Sequence, residues 1–367
     1  MKLLLTTPAL NDQGGVASYI NSVMPFLGNR HDIHRFEIGR TRSKSGILHP
    51  VVDQIGFHRL ISSKQFDICQ VNPSLNAKSF IRDGLFVWQV RRKGLPVLVF
   101  FHGWRKDFEQ KVAGTYLPFF RNTFGRADAF IVLANEFKEV LRQWGVRQPI
   151  FLGTTTVEEC LLDGFSIEDK IRRVRQAEKI KILFLSRLER RKGVFETVDA
   201  VSDLSAWGYP VILSIAGDGS VMAELRQYIC TKKLPENTIR LLGYVKGSEK
   251  KAAFADNHIY CFPTRYGEGL PTSVVEAMAF GMPVVTCPVG GIADFFKDGA
   301  MGYLWKRNEP ESLAELLKNL IDARGKITEF GRRNHVYAKE NFMASRVAES
   351  LVSIYNRILY NHSADKI

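Results

Sequence analysis

Short apolar runs alternate along this chain with longer stretches whose apolar positions recur every three to four residues. In the first half, KLLLTTP, FDICQVN, LPVLVFFHG and ADAFIVLA read as strands. GGVASYINSVMPFLG and NEFKEVLRQWG read as helices, the second closed by Gly145. The second half repeats the scheme. Strands KIKILFLSRL, PVILSIAGDGS, TIRLLGYV and HIYCFPT are separated by helices GVFETVDAVSDLSAWG, MAELRQYICTKKL and KGSEKKAAFAD. Continuous apolar runs suit strands covered on both faces, and interleaved helices predict parallel sheets with helices on each side. SLAELLKNLIDARG and ASRVAESLVSIYNRILY are two further amphipathic helices near the end.

A chain of 367 residues exceeds one ordinary core. The polar stretch LDGFSIEDKIRRVRQAEK breaks the pattern between the halves. We therefore expect a first α/β domain over 1–163, a connection over 164–179 and a second α/β domain over 180–341. The final helix occupies 342–367. Hydrophobic content of 45% and charged content of 24% are those of a soluble globular enzyme. The opening MKLLLTTPAL is too short an apolar run for a secretory leader and reads as a buried strand. No stretch is apolar for long enough to span a bilayer. Five scattered cysteines without a C-x-x-C pair suit reduced thiols in a cytoplasm.

The formal charge of +13 is unevenly placed: residues 30–126 hold 17 Lys/Arg against 7 Asp/Glu. Such a surplus suits an anionic membrane surface or an anionic acceptor, or is a solvated face without a partner. No nucleic-acid recognition motif accompanies it. Within it, Tyr116, Phe119, Phe120 and Phe124 lie among Arg105, Lys106, Lys111 and Arg121. This stretch is either a basic, aromatic helix lying at a membrane interface or a core helix of the first domain.

Candidate chemistry concentrates where strands end, the edge at which open α/β sheets bind ligands. After HIYCFPT comes RYGEGLPTSVVEAMAFGMPVV, with Glu268 and Glu276 eight positions apart around a Gly-Leu-Pro turn. Pro271 and Thr272 open a helix that runs through Phe280 and is stopped by Gly281. The amides of Gly269, Leu270 and Thr272 suit a phosphate or a developing anion. Carboxylates at such a mouth are acceptors suited to sugar hydroxyls. After KILFLS, Arg187 and Lys192 sit five positions apart in a loop. They offer a planar two-point contact and a mobile point charge to a diphosphate. Gly14 and Gly15, between the first strand and its helix, either make a tight turn or let backbone amides approach a phosphate. His102 ends an apolar strand as a cap or as a site residue. Asp218, in Gly217-Asp218-Gly219, either caps the next helix or touches ligand. There is no D-x-D motif and no set of residues at metal-ligand spacing.

The segment EGLP-x4-EAMA-x-G-x-PVV resembles the donor-site signature of the retaining family 4 glycosyltransferases. The resemblance is most specific over 182–193 and 261–291. It implies the GT-B fold, two Rossmann-like domains facing each other across a cleft, with the last helix crossing back near Phe342 to the first domain. It further implies a metal-independent reaction, without a cofactor, between a nucleotide-sugar donor, a UDP-sugar by expectation, and a glycan or polyprenyl-linked glycan acceptor. By the same resemblance, Arg187 and Lys192 bind the donor diphosphate, Gly14 and Gly15 cover it, and Glu276 accepts from the ribose. Glu268 accepts from the donor sugar, and His102 lies at the reaction centre, donating to a sugar hydroxyl or orienting the acceptor. Gly217 and Asp218 shape the nucleotide pocket, while main chain around Tyr244 and Val245 reads the base. Retention in that family proceeds with the diphosphate itself as base, so no carboxylate nucleophile is expected. A sugar-nucleotide 2-epimerase of the same fold and a non-catalytic polyanion- or membrane-binding protein are the alternatives. Work on surface polysaccharides, in the cytoplasm or at the inner membrane face, is the expected setting.

Overall fold

The structure, a computed structural model, describes residues 1–10, 14–39, 49–267, 269–309 and 311–364. Contacts divide the chain into two units. The first comprises Met1–Thr156, Gly267–Leu270 and Ala344–Ile367, and the second Val157–Tyr266 and Pro271–Met343.

The first unit contains β1 (Lys2–Thr7), β2 (Asp32–Glu37), β3 (Ile68–Val71), β4 (Ser74–Leu75), β5 (Val97–Phe100), β6 (Gly103–Trp104), β7 (Ala129–Val132) and β8 (Ile150–Leu152). Six of these form one parallel sheet in the order β2-β1-β3-β5-β7-β8. The strand order reverses between β1 and β3, which marks the ligand edge of such a sheet. Its central strands are apolar throughout because helices cover both faces: β3, β5 and β7 are buried at every position. The two short strands β4 and β6 pair with each other and tie the loop after β3 to the loop after β5. The edge strand β2, DIHRFE, is only half-buried, and its mixed composition gave no strand signal.

The second unit contains β9 (Ile180–Leu185), β10 (Val211–Ala216), β11 (Ile239–Gly243), β12 (Ile259–Phe262), β13 (Val284–Thr286) and β14 (Gly302–Leu304). They form one parallel sheet in the order β11-β10-β9-β12-β13-β14. Numbered within the unit this is 3-2-1-4-5-6, the doubly wound dinucleotide-fold order, with its switch point between β9 and β12.

Two expectations are corrected, and one alternative left open is decided. Residues 164–179 are not a connection, because they hold the helix Ile167–Gln176, which packs against the helix Arg324–Asn341 and belongs to the second unit. Its Lys170 is buried, and its ammonium caps a helix end by donating to the carbonyls of Phe254, Ala255 and Asn257. That tertiary cap, added to an exposed charged face, made a helix with one buried edge of Lys170, Ile171 and Val174 read as polar throughout. The first unit's leading segment ends at Thr156 rather than 163. The last helix, Ala344–Ala364, which the resemblance assigns to the first domain, groups with that unit. The aromatic stretch 116–124 is not a free amphipathic face. Phe120 and Phe124 are fully buried and Phe119 packs on the core, leaving Tyr116 outside.

Among the described residues, no helix is long and apolar enough to cross a membrane.

Candidate functional site

In the second unit, the loops that follow β9, β10, β11 and β12 are bound to one another through backbone. Gly217, after β10, has φ +140° and donates its N–H to the Gly243 carbonyl at the end of β11, 2.6 Å away. A Cβ on Gly217 would lie 1.9 Å from the Ser186 carbonyl, and one on Gly219 would lie 2.3 Å from that of Leu188. Glycine is required here because the loop after β10 runs directly over the loop after β9. The Leu188 amide in turn donates to the Asp218 carbonyl. Gly193, at φ +88°, opens the helix Val194–Ala206, and a Cβ there would meet the Pro263 carbonyl at 2.5 Å. The Arg265 amide donates to the Arg191 carbonyl, joining the loops on either side of the switch point.

On this frame Arg187 is largely exposed, with Nη1 3.2 Å from Glu189 Oε1, an exposed pair that holds the arginine weakly. The Lys192 ammonium sits 4.3 Å from the Tyr266 ring centroid, a cation–π contact between the two switch-point loops. Arg190 is engaged elsewhere, paired with Glu224 and stacked over Phe195. The Asp218 carboxylate accepts from the Gly219 amide and does not cap the following helix, whose N-cap residue is Val221. Tyr244 is exposed and Val245 half-buried just beyond β11.

Glu276 lies in the second turn of the helix Thr272–Ala279, whose N-cap Pro271 offers no side-chain cap to the first amides. Glu276 is 3% exposed, and Lys250 Nζ donates to Oε1 at 2.5 Å. Burial pushes its pKa up, and the Lys250 ammonium pulls it back. The partner comes from the helix Gly247–Asp256, which follows β11, so the pair couples two neighbouring loops. Lys250 was not singled out from sequence because a lysine in a charged helix carries no mark of its partner. Behind this helix, Gly281 and Gly331 touch backbone to backbone, and Asn334 Nδ2 donates to the Met282 and Met301 carbonyls. Glu268 lies outside the described residues.

The ligand edge of the first unit is built from side chains. Asn72, just past β3, receives a hydrogen bond from Gln70 and donates to the Thr6 carbonyl of β1. His102, just past β5, is 2.9 Å from Asn72 through Nε2 and stacks on Phe100 at 3.9 Å between centroids. Burial drops the His102 pKa to about 3, so the ring is neutral. Gly14 is the N-cap of the helix Gly15–Gly28 at φ −171°, an extended conformation open to any residue. Among the described residues, a Cβ on Gly14 or Gly15 would meet nothing within 4 Å, so neither their turn geometry nor their packing calls for glycine. Gly269 and Leu270 belong by contact to this unit, and a Cβ on Gly269 would lie 3.1 Å from the His102 carbonyl.

Residues 166–336 match the family model described as glycosyl transferases group 1. The chain is 24% identical over 258 residues to WcaL of Salmonella typhimurium, provisionally a colanic acid biosynthesis glycosyltransferase. That match covers 69% of this chain and 59% of WcaL, so the chain spans about three-fifths of the curated relative's length. Among solved structures, HepE of Anabaena, in complex with UDP and glucose, superposes with a TM-score of 0.74. It is 16% identical, with 97% of this chain and 100% of HepE covered. Sucrose-phosphate synthase of Thermosynechococcus elongatus gives 0.77 at 16% identity, over 98% and 99%. These likenesses show the fold: two Rossmann-like units of the GT-B class.

Proposed function

We propose that the protein is a retaining glycosyltransferase that moves a sugar from a UDP-sugar to a glycan or lipid-linked glycan without a metal. The observation that carries this reading is the edge at the β9/β12 switch point. Two cations, Arg187 and Lys192, lie there on loops locked together by glycine contacts, and the helix that carries Glu276 follows β12 in the chain. A diphosphate is bound by Arg187, Lys192 and the amides of Gly269, Leu270 and Thr272. As the sugar leaves, these groups stabilise the charge that develops on the diphosphate. Lys250 occupies one oxygen of Glu276, which leaves Oε2 as the acceptor for ribose hydroxyls. Glu268 accepts from the donor sugar. Gly217, Asp218, Tyr244 and Val245 border the nucleotide. The acceptor attacks from the leaving-group side, and the diphosphate takes its proton. The UDP preference draws on HepE, and a polysaccharide acceptor on the name of WcaL.

The basic first unit contacts an anionic bilayer through the outer faces of the helices His49–Ser63 and Ala77–Arg92. Val51, Val52, Ile55, Ile81 and Trp88 are all exposed there. Both acidic residues of these helices, Asp53 and Asp83, are buried, so their outer faces carry only basic charge. Arg92 lies 4.6 Å over Trp88. Apolar side chains set among cations fit an anionic lipid surface.

The test is thermal stability against UDP-, GDP-, ADP- and dTDP-sugars with chelator present. A ligand at about 100 times its Kd adds roughly 2.7 kcal/mol. We expect a shift with one sugar nucleotide, lost in Glu276→Ala. No shift with any of them overturns the reading.

A further inference from the structure

A buried chain of hydrogen bonds in the first unit ends on His102. Tyr355, fully buried on the helix Ala344–Ala364, donates its hydroxyl to Gln70 Oε1 at 2.5 Å. Gln70, on β3, donates Nε2 to Asn72 Oδ1 at 2.7 Å. Asn72 donates Nδ2 to the Thr6 carbonyl at 2.9 Å. The last bond orients the amide: a main-chain carbonyl only accepts, so the nitrogen of Asn72 faces Thr6. Its Oδ1 then faces both Gln70 and His102, and an amide oxygen only accepts. His102 Nε2, 2.9 Å from that oxygen, is therefore the donor. The ring cannot turn away from this bond easily, since it is stacked on Phe100 and held edge-on by Tyr19 at 4.8 Å. A neutral imidazole has one N–H, so Nδ1 carries the lone pair. No described residue hydrogen-bonds to Nδ1, and His102 is only half-buried.

We propose that Asn72, oriented by Gln70 and Tyr355, is a positioning residue that locks His102 as its Nε2–H tautomer, so that Nδ1 meets a ligand hydroxyl as a hydrogen-bond acceptor. The imidazole then neither donates to the ligand nor pairs with phosphate as a cation. The weakly basic ring takes up no second proton at neutral pH, so Nδ1 orients a hydroxyl without deprotonating it. Only the identity of that hydroxyl, one on the donor sugar, rests on the glycosyl-transfer reading.

The experiment is two-bond 1H–15N NMR on full-length protein labelled at histidine, with the His102 signals assigned by His102→Gln. We expect a pyrrole-type Nε2 and a pyridine-type Nδ1, unchanged between pH 8 and pH 5. Asn72→Ala should give a mixture of tautomers. Asn72→Asp, which keeps an acceptor oxygen, should retain the Nε2–H form and raise the pH at which the ring protonates. Tyr355→Phe should broaden or partly mix the signals, and it serves as the probe if Asn72→Ala does not fold. A wild-type Nδ1–H form, or an unaltered tautomer in Asn72→Ala, overturns the proposal. The sugar nucleotide that stabilises the protein is then compared with its nucleoside diphosphate alone. A change at Nδ1 with the sugar nucleotide only supports the hydroxyl contact, and no difference between the two overturns it. If the tautomer is as expected but no sugar nucleotide binds, the glycosyl-transfer reading fails and the positioning network stands.

Discussion

The two units present their ligand edges by different means. In the second, the loops after β9, β10 and β12 are held by backbone against backbone, with Gly193, Gly217 and Gly219 at the points of closest approach. Charged side chains such as Arg187 are then left largely exposed, beyond a rigid frame. In the first, the corresponding edge is a side-chain chain from Tyr355 through Gln70 and Asn72 to His102, while Gly14 and Gly15 border open space. A backbone frame suits a diphosphate, whose charge is met by cations and amides. A side-chain network suits discrimination, because it fixes which atom of a neutral ring is offered. The edge of the second unit is thus framed by backbone, and that of the first by side chains.

Removing a cation from the backbone frame should give the largest effect. Lys192→Ala is expected to lower turnover roughly 100- to 1,000-fold, about 2.7–4 kcal/mol of transition-state stabilisation, with little change in unfolding. Steady-state kinetics with the stabilising sugar nucleotide checks it, and activity within threefold of wild type would remove Lys192 from the diphosphate site. The glycine contrast comes next. Gly217→Ala places a Cβ 1.9 Å from a carbonyl at φ +140° and should lose at least about 2 kcal/mol in chemical denaturation. Gly14→Ala should stay within about 0.5 kcal/mol of wild type and weaken nucleotide binding instead. Equal destabilisation by both would erase the distinction between the two edges. The smallest effect concerns the outer face of the first unit. Ile81→Glu with Trp88→Glu should reduce association with phosphatidylglycerol vesicles roughly 30-fold at low salt, each charge near the surface being worth about 1 kcal/mol. Tyr116→Glu should leave association unchanged, and the reverse pattern would return the contact to the aromatic stretch 116–124.

The second unit was the more legible in sequence because its devices are local. Gly217-Asp218-Gly219 and Arg187 to Gly193 each lie within one loop, directly after an apolar run that ends as a strand. Glu276 is marked by its spacing from the Gly-Leu-Pro turn. Its partner Lys250, 26 residues earlier, is not marked at all, since any lysine of that helix has the same composition around it. The helix Ile167–Gln176 was misread for a related reason: its polarity includes Lys170, which is buried only because three carbonyls of another helix receive it. Phe120 and Phe124 were ambiguous by themselves, because an aromatic stripe among cations fits either a core or a membrane.

The sequence alone determined the α/β class, the doubling into two parallel-sheet units and the loops where ligand chemistry gathers. It could do so because apolar run length, helical period and glycine placement act over a few residues. Only the tertiary structure decided which side chains meet. Tyr355 reaches Gln70 across 285 positions, and Asn72 reaches Thr6 across 66. It also decided which charges are offered to solvent, since Asp53 and Asp83 count as acids in the composition yet leave the surface to their basic neighbours. The orientation of a buried polar group depends on partners that chain order does not bring together, so it emerges only once the sheet order has set them side by side.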